Sequence, residues 1–155
     1  MPERDPVFFD AGVLIGALLR GDPRHDETRS LVEDARRGLV NACTTSGILS
    51  EVYAALTWEQ AKPRHSPREA ALAVKLLVAP PSAIRVLEEG YETATKTLLL
   101  ADKHGLRARR VHDARHAAAA ICAGIKDVFS YDIDDWRCFE AEGLRIALPP
   151  SARTR

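Results

Sequence analysis

Short apolar runs alternate with longer stretches of helical periodicity along nearly the whole chain, and this alternation restricts the fold more than any other feature. The first run, Val7-Phe8-Phe9, is apolar at every position, as in a strand covered on both faces. Further strands are predicted at 39–43, 83–87 and 128–131, with an edge strand at 144–147. Between them the spacing predicts helices at 11–19, 26–37, from Thr44-Thr45-Ser46 to about 61, 90–104, 113–123 and 134–142. Another helix starts at Ser66-Pro67-Arg68-Glu69, where Ser66 can cap, Pro67 suits the first helical position and Glu69 can close a capping box; Pro80-Pro81 ends it. Strands separated by helices imply βαβ units. The expected fold is therefore α/β, with a central, mainly parallel sheet of about five strands flanked by helices. It occupies one domain over residues 1–148, followed by a loose tail at 149–155.

Composition narrows the function classes. Hydrophobic residues make up 46% of the 155, which excludes an intrinsically disordered chain. Lys+Arg and Asp+Glu both total 22, so there is no general basic footprint for nucleic acid, and any such binding must use a local patch or a metal. No apolar stretch reaches the roughly 20 residues of a membrane span. The start Met-Pro-Glu-Arg-Asp-Pro has no apolar core, so no signal peptide is expected. Cys43, Cys122 and Cys138 are odd in number and lack metal-site spacing, and the expectation is buried reduced thiols in a cytoplasmic protein.

Four acids stand where an apolar segment ends or is interrupted: Asp10, Glu51, Asp113 and Asp132. A carboxylate that leaves water needs a cation, a donor or a proton. If folding gathers the four, the natural cation is a hard divalent metal, Mg²⁺ or Mn²⁺. Parallel sheets bind ligands beyond the carboxyl ends of their strands, and Asp10 and Asp132 both follow predicted strands. Read singly, Asp10 and Asp113 are also good helix caps. Glu51 points away from the stripe Leu49, Val52, Tyr53, Leu56, but Ile48, Ala55 and Trp58 lie near it. That helix is apolar almost all round, with one face for the core and one for an interface, and it leaves the direction of Glu51 open. Asp132, Asp134 and Asp135 would repel one another unless a cation or water separates them. One of Asp134 and Asp135 can cap the next helix while the other faces solvent or supports the site. His112 and His116 flank Asp113 and read as helix-surface or capping residues rather than ligands.

Phe9-Asp10-Ala11 before an apolar helix, Thr44-Thr45-Ser46 followed by Ser50-Glu51-Val52-Tyr53, His112-Asp113-Ala114 leading into an alanine run, and Ser130-Tyr131-Asp132 before an aromatic together resemble a PIN domain. The match spans residues 7 to about 147, and the compact size resembles the VapC toxins of type II toxin–antitoxin pairs. The resemblance implies a PIN-like three-layer sandwich and a metal-dependent endoribonuclease using Mg²⁺ or Mn²⁺. It maps Asp10, Glu51, Asp113 and Asp132 onto an acidic quartet, with Thr45 or Ser46 and Ser130 as supporting hydroxyls. It also implies cleavage leaving a 5′-phosphate and a 3′-hydroxyl, and inhibition by a small antitoxin protein. The chain departs from the family's Asp-x-Asp-aromatic pattern by one more residue before Trp136, which leaves the roles of Asp134 and Asp135 open.

Positive charge gathers in 103–110, where Arg107, Arg109 and Arg110 are candidate phosphate contacts, as is Arg115 beyond Asp113. Aromatics are only 6% of the chain, so recognition by RNA shape or a few contacts is expected rather than a stacking platform. An apolar face around Ile48, Ala55 and Trp58, and on the Ser66 helix, would serve a homodimer or antitoxin capture. Two other readings stay open: a non-catalytic receiver-like module, which would need a late-loop Lys where only Lys126 is near, and a PIN nuclease of RNA processing outside a toxin–antitoxin pair.

Overall fold

The computed structural model describes residues 4–151. Five short strands, β1 (Val7–Phe9), β2 (Ala42–Thr45), β3 (Arg85–Leu87), β4 (Asp127–Phe129) and β5 (Arg145–Ala147), form one sheet in the order β3-β2-β1-β4-β5. Every pairing is parallel. The chain starts in the middle, builds outward through β2 and β3, then crosses back to add β4 and β5 on the other side. The direction of winding therefore reverses between β1 and β4, and the crevice beyond their carboxyl ends is where an open parallel sheet takes its ligand.

Among the described residues seven α-helices flank the sheet: α1 (Ala11–Leu18), α2 (His25–Arg36), α3 (Ser46–Thr57), α4 (Pro67–Val78), α5 (Tyr91–Lys103), α6 (Val111–Cys122) and α7 (Ile133–Trp136). Phe8, Phe9, Leu14, Leu31, Ile48, Leu56, Val128, Trp136 and Phe139 are fully covered at the centre of the core. Small residues set the closest approaches. A Cβ on Gly16 of α1 would stand 2.7 Å from Thr28 Oγ1 of α2, so the two helices pack at a distance that an alanine would disturb. On α6, Ala114, Ala117, Ala118 and Ala120 are all buried.

The capping box at the start of α4 is present in both directions: Glu69 N–H donates to Ser66 Oγ at 3.2 Å, and Ser66 N–H to Glu69 Oε2 at 2.8 Å. Other expectations shift. The second strand begins later than expected at 39–43, keeping Ala42 and Cys43 of that run. Leu39 is 51% exposed, and β2 extends on through Thr44 and Thr45, whose buried hydroxyls are satisfied. Thr44 Oγ1 donates to Phe9 O at 3.2 Å, and Thr45 Oγ1 accepts the Ile48 N–H at 3.1 Å as the cap of α3. Helix α3 stops at Thr57 rather than about 61, because the returning loop takes its last carbonyls: His65 N–H donates to Leu56 O at 2.9 Å, and Arg64 Nε–H to Thr57 O at 3.2 Å. The helix expected at 134–142 divides into α7 and a 3-10 turn over Arg137–Glu142, closed by Gly143 at φ 91°.

Ile48 is fully buried, so the exposed apolar face expected around it reduces to Trp58 with half-buried Ala55, while α4 exposes Leu72 and Leu76. Only Cys43 is a buried thiol, held in its neutral form by burial that pushes its pKa up to about 12; Cys122 and Cys138 are partly accessible. Residues 149–151 carry no regular structure, and the rest of the expected tail lies outside the described residues. Among the described residues no helix is long and apolar enough to cross a membrane.

Candidate acidic active site

Asp10 is both a cap and the centre of the site. It follows β1 directly, and its N–H continues the ladder to β4 by donating to Phe129 O at 3.0 Å. Its carboxylate is only 6% exposed and is fixed by three donors. Oδ1 accepts the Ala11 N–H at 2.8 Å; Oδ2 accepts Ser130 Oγ–H at 2.6 Å and Trp136 Nε1–H at 3.0 Å. Ser130 in turn accepts the Asp132 N–H at 3.0 Å, so one hydroxyl ties the end of β1 to the loop after β4.

Asp113 lies in the first turn of α6, two residues inside the helix rather than at its start. Burial pushes its carboxyl above the ordinary aspartate range, and the charges of Asp135 and Asp10 add to that, outweighing Arg110, whose Nε–H reaches Asp113 Oδ2 at 3.3 Å. Asp132 is raised as well, first by burial and then by Asp10, Asp135 and Glu51, with Arg24 opposing. Glu51, half-exposed on α3, meets the imidazole of His116 at 2.6 Å from Nε2 to Oε1. The proposed quartet thus shares one electrostatic field at the carboxyl end of the sheet. The charge of Asp10 adds to the rise of both Asp113 and Asp132, and that of Glu51 to the rise of Asp132, as like charges do. Among the described residues no three such side chains converge closely enough to ligate an ion directly. The donor set is oxygen-only and anionic, which fits a hard divalent ion that keeps several of its waters.

The other candidates divide. Ser130 is in the site, whereas Thr45 caps α3 from within the core and Ser46 donates to Glu89 Oε2 at 2.7 Å. Asp134 is a surface residue, 96% exposed and paired with Arg137. Asp135 belongs to the rim, where its charge reaches Asp113 and Asp132; neither it nor Asp134 caps α7, since both are inside its first turn. Arg110 is committed to the site's frame, donating also to Asp135 O at 2.7 Å. Arg115 is not a free arm. Nearly buried Glu89 holds its guanidinium at 3.0 Å, and the group lies so close to Gly47 that a Cβ there would meet it at 3.0 Å. Arg107 and Arg109 remain exposed before α6. His116, expected on the helix surface, is 3% exposed, and its neighbour His112 is exposed.

Two site residues had no visible signal in the sequence. Trp136 is the aromatic after the acidic cluster, yet nothing local shows that its indole reaches Asp10. Arg24 reads as part of a helix-ending loop; its guanidinium lies 3.9 Å over the Tyr131 ring and close enough to Asp132 to oppose the rise in its pKa. Tyr131 packs beside Gly12 and donates its hydroxyl to Glu27 at 3.2 Å, so the platform under Arg24 is fixed.

Residues 7–138 match the family model of the PIN domain, and the chain belongs to the PIN-domain family. Solved structures agree on the fold. The VapC20 toxin of Mycobacterium tuberculosis, described as cleaving the sarcin-ricin loop, superposes with a TM-score of 0.68 at 21% identity, over 92% of this chain and 99% of that one. DNA-bound VapBC from Salmonella typhimurium gives 0.65 at 17% identity, over 95% and 100%. VapBC2 from Rickettsia felis, bound to a promoter DNA fragment, gives 0.63 at 11% identity, over 92% and 98%. No curated protein sequence matches the chain.

Proposed function

We propose that the protein is a divalent-metal-dependent endoribonuclease and the toxin of a toxin–antitoxin pair. The observation that carries this is the pair of raised carboxyls, Asp113 and Asp132, pressed around a buried, triply hydrogen-bonded Asp10 at the sheet's switch point. A structural acid is neutralised by its neighbours; these are left in excess of their cations. Asp10, Asp113, Asp132 and Glu51 would hold Mg²⁺ or Mn²⁺, which supplies Lewis acidity toward the scissile phosphate and a water activated near neutral pH. The chain's own part is orientation. Ser130 and Trp136 fix Asp10, Arg110 fixes the first turn of α6, and Arg24 and the exposed Arg107 and Arg109 offer cations to the RNA backbone. A receiver-like module is not favoured, because exposed Lys126 precedes β4 and no late-loop lysine faces the acids.

One structural relative is described as a toxin–antitoxin complex from Klebsiella pneumoniae, and this chain has a groove that would take such a partner. A groove of about 320 Å³ between α1, α2 and α4 combines exposed Leu76 with Arg20 and Arg29, beside the Arg36–Glu33 ion pair. It suits an acidic, amphipathic segment of a small antitoxin. The two halves of the reading are tested together. Purified protein should cleave RNA with Mn²⁺ or Mg²⁺ and stop on addition of EDTA, and its induced expression should arrest growth unless the product of the adjacent reading frame is co-expressed. Cleavage that persists in EDTA sinks the metal mechanism. Harmless expression of an active nuclease favours a role in RNA processing.

Arg24→Ala should raise KM for RNA several-fold with little change in kcat, and reduce the salt slope of binding by about 1. Steady-state cleavage at several salt concentrations checks this, and an unchanged KM removes Arg24 from the RNA path.

A further inference from the structure

We propose that His116 is a positioning residue that turns Glu51 toward the acidic cluster; the inference rests on the metal-dependent reading above. Glu51 is the one member of the quartet whose direction its own helix does not set. Its side chain is 43% exposed on α3, where a free glutamate samples several rotamers, and ordering it costs side-chain entropy. His116 comes from α6, 65 residues away, and is 3% exposed. It stands in a row of buried alanines, Ala114 and Ala117 to Ala120, none of which can reach or bond a carboxylate.

The ring's two nitrogens are in different situations. Nε2 lies 2.6 Å from Glu51 Oε1, while Nδ1 is buried with no hydrogen-bond partner among the described residues. A proton on Nδ1 would be an unsatisfied buried donor, so the tautomer that costs least carries it on Nε2 and donates to Glu51. A leucine at this position would fill similar space without an orphaned nitrogen. The imidazole instead leaves one nitrogen bare and aims the other. The short bond to a charged acceptor is of the stronger kind, and it occupies Oε1 only. Oε2 is left without this bond, and the charge of Glu51 is near enough to the cluster to raise Asp132. Residues that orient a metal-binding carboxylate in this way typically change metal affinity by about 10–100-fold when lost.

The test is a double-mutant cycle on the full chain, reading Mn²⁺ affinity by calorimetry alongside thermal melting. His116→Leu should weaken Mn²⁺ binding about tenfold without lowering the melting temperature. His116→Gln, which keeps a donor at the same reach, should restore most of it. In a Glu51→Gln background His116→Leu should add little, because both changes remove one interaction. Equal Mn²⁺ affinity in His116→Leu and the native chain overturns the inference, as does a full additive loss in the Glu51→Gln background. Should His116→Leu not fold, the native chain decides: its His116 imidazole ¹⁵N resonances should move on Mg²⁺ titration with the midpoint of binding, and silence overturns the inference. A native chain that binds no divalent ion overturns the metal reading itself, and this inference with it.

Discussion

Asp10→Asn is expected to abolish metal-dependent RNA cleavage, on the order of a thousandfold or more, while the chain still folds. Both effects follow from the three donors around this carboxylate. The aspartate accepts from Ala11 N–H on one oxygen and from Ser130 and Trp136 on the other, so it needs no donor of its own. An asparagine can keep its oxygen toward Ala11, but its NH₂ then faces the Trp136 indole N–H, donor against donor. The serine hydroxyl can rotate to accept, whereas the indole cannot. One buried donor is left unsatisfied, a cost of about 1–3 kcal/mol. In a chain of this size that lowers the melting temperature by several degrees without unfolding the protein at room temperature. Activity falls much further, because the substitution removes the charge at the centre of the cluster and turns an acceptor oxygen into a donor beside Ser130 and Trp136. Cleavage assays with Mn²⁺ and a thermal melt on the same preparation check both parts. Native-level cleavage by Asp10→Asn would remove Asp10 from the chemistry and leave it a helix cap.

What the sequence disclosed, and what it hid, follows from how far each interaction reaches. β1 and Asp10 were legible because a wholly apolar run ending in an acid before a helix is a local pattern, and Asp10 stands at the end of β1 beside Ser130 and Trp136. The α4 capping box was legible for the same reason, with both bonds inside four residues. β2 overlaps the expected run only at Ala42 and Cys43, because its polar residues are buried by bonds made elsewhere. Thr44 is acceptable in a central strand only because Phe9 O, 35 residues away, takes its hydroxyl, and a periodicity argument cannot see that partner. Trp136 donating to Asp10 across 126 residues and His116 holding Glu51 across 65 are invisible for the same reason. Charge misled in a related way. Arg115 beside Asp113 looked like an RNA contact, but Glu89, a residue with no local mark, holds it at 3.0 Å. Conversely, the raised pKa values of Asp113 and Asp132 are properties of the assembled site and of no single segment.

Asp132→Asn should move activity and stability in opposite directions. Cleavage is expected to fall by roughly a hundredfold or more, with loss of an oxygen charge from the metal site. Without metal, the same variant should melt higher than the native chain. Asp132 is held above its ordinary pKa by burial and by Asp10, Asp135 and Glu51, and among the described residues no side chain hydrogen-bonds to its carboxylate. Such a group binds its proton more tightly in the fold than in the unfolded chain. The unfolded state therefore loses that proton first as pH rises, and stability falls with rising pH through the raised value. At neutral pH the penalty is fully present, and asparagine removes it. Because the carboxylate is partly solvated, screening limits the gain to the range of an exposed charge contact, and the rise in melting temperature should be about 1–3 °C. The pH dependence supplies a second check. As pH falls from neutrality through the raised values of Asp132 and Asp113, the native apo protein should gain stability, with a smaller gain in Asp132→Asn. Below those values, Asp127 and Glu142, whose pKa values Arg145 and Lys103 lower, begin to protonate and pull the other way. Mn²⁺ reverses the order of the two proteins: it should stabilise the native chain by about 2.7 kcal/mol at a hundredfold excess over its dissociation constant, and the variant by less. A solvated aspartate with no site role would show neither the apo gain nor the reversal, so equal melting curves with and without Mn²⁺ would sink the assignment of Asp132. If both appear, the repulsion that destabilises the empty fold is the same charge that binds the ion.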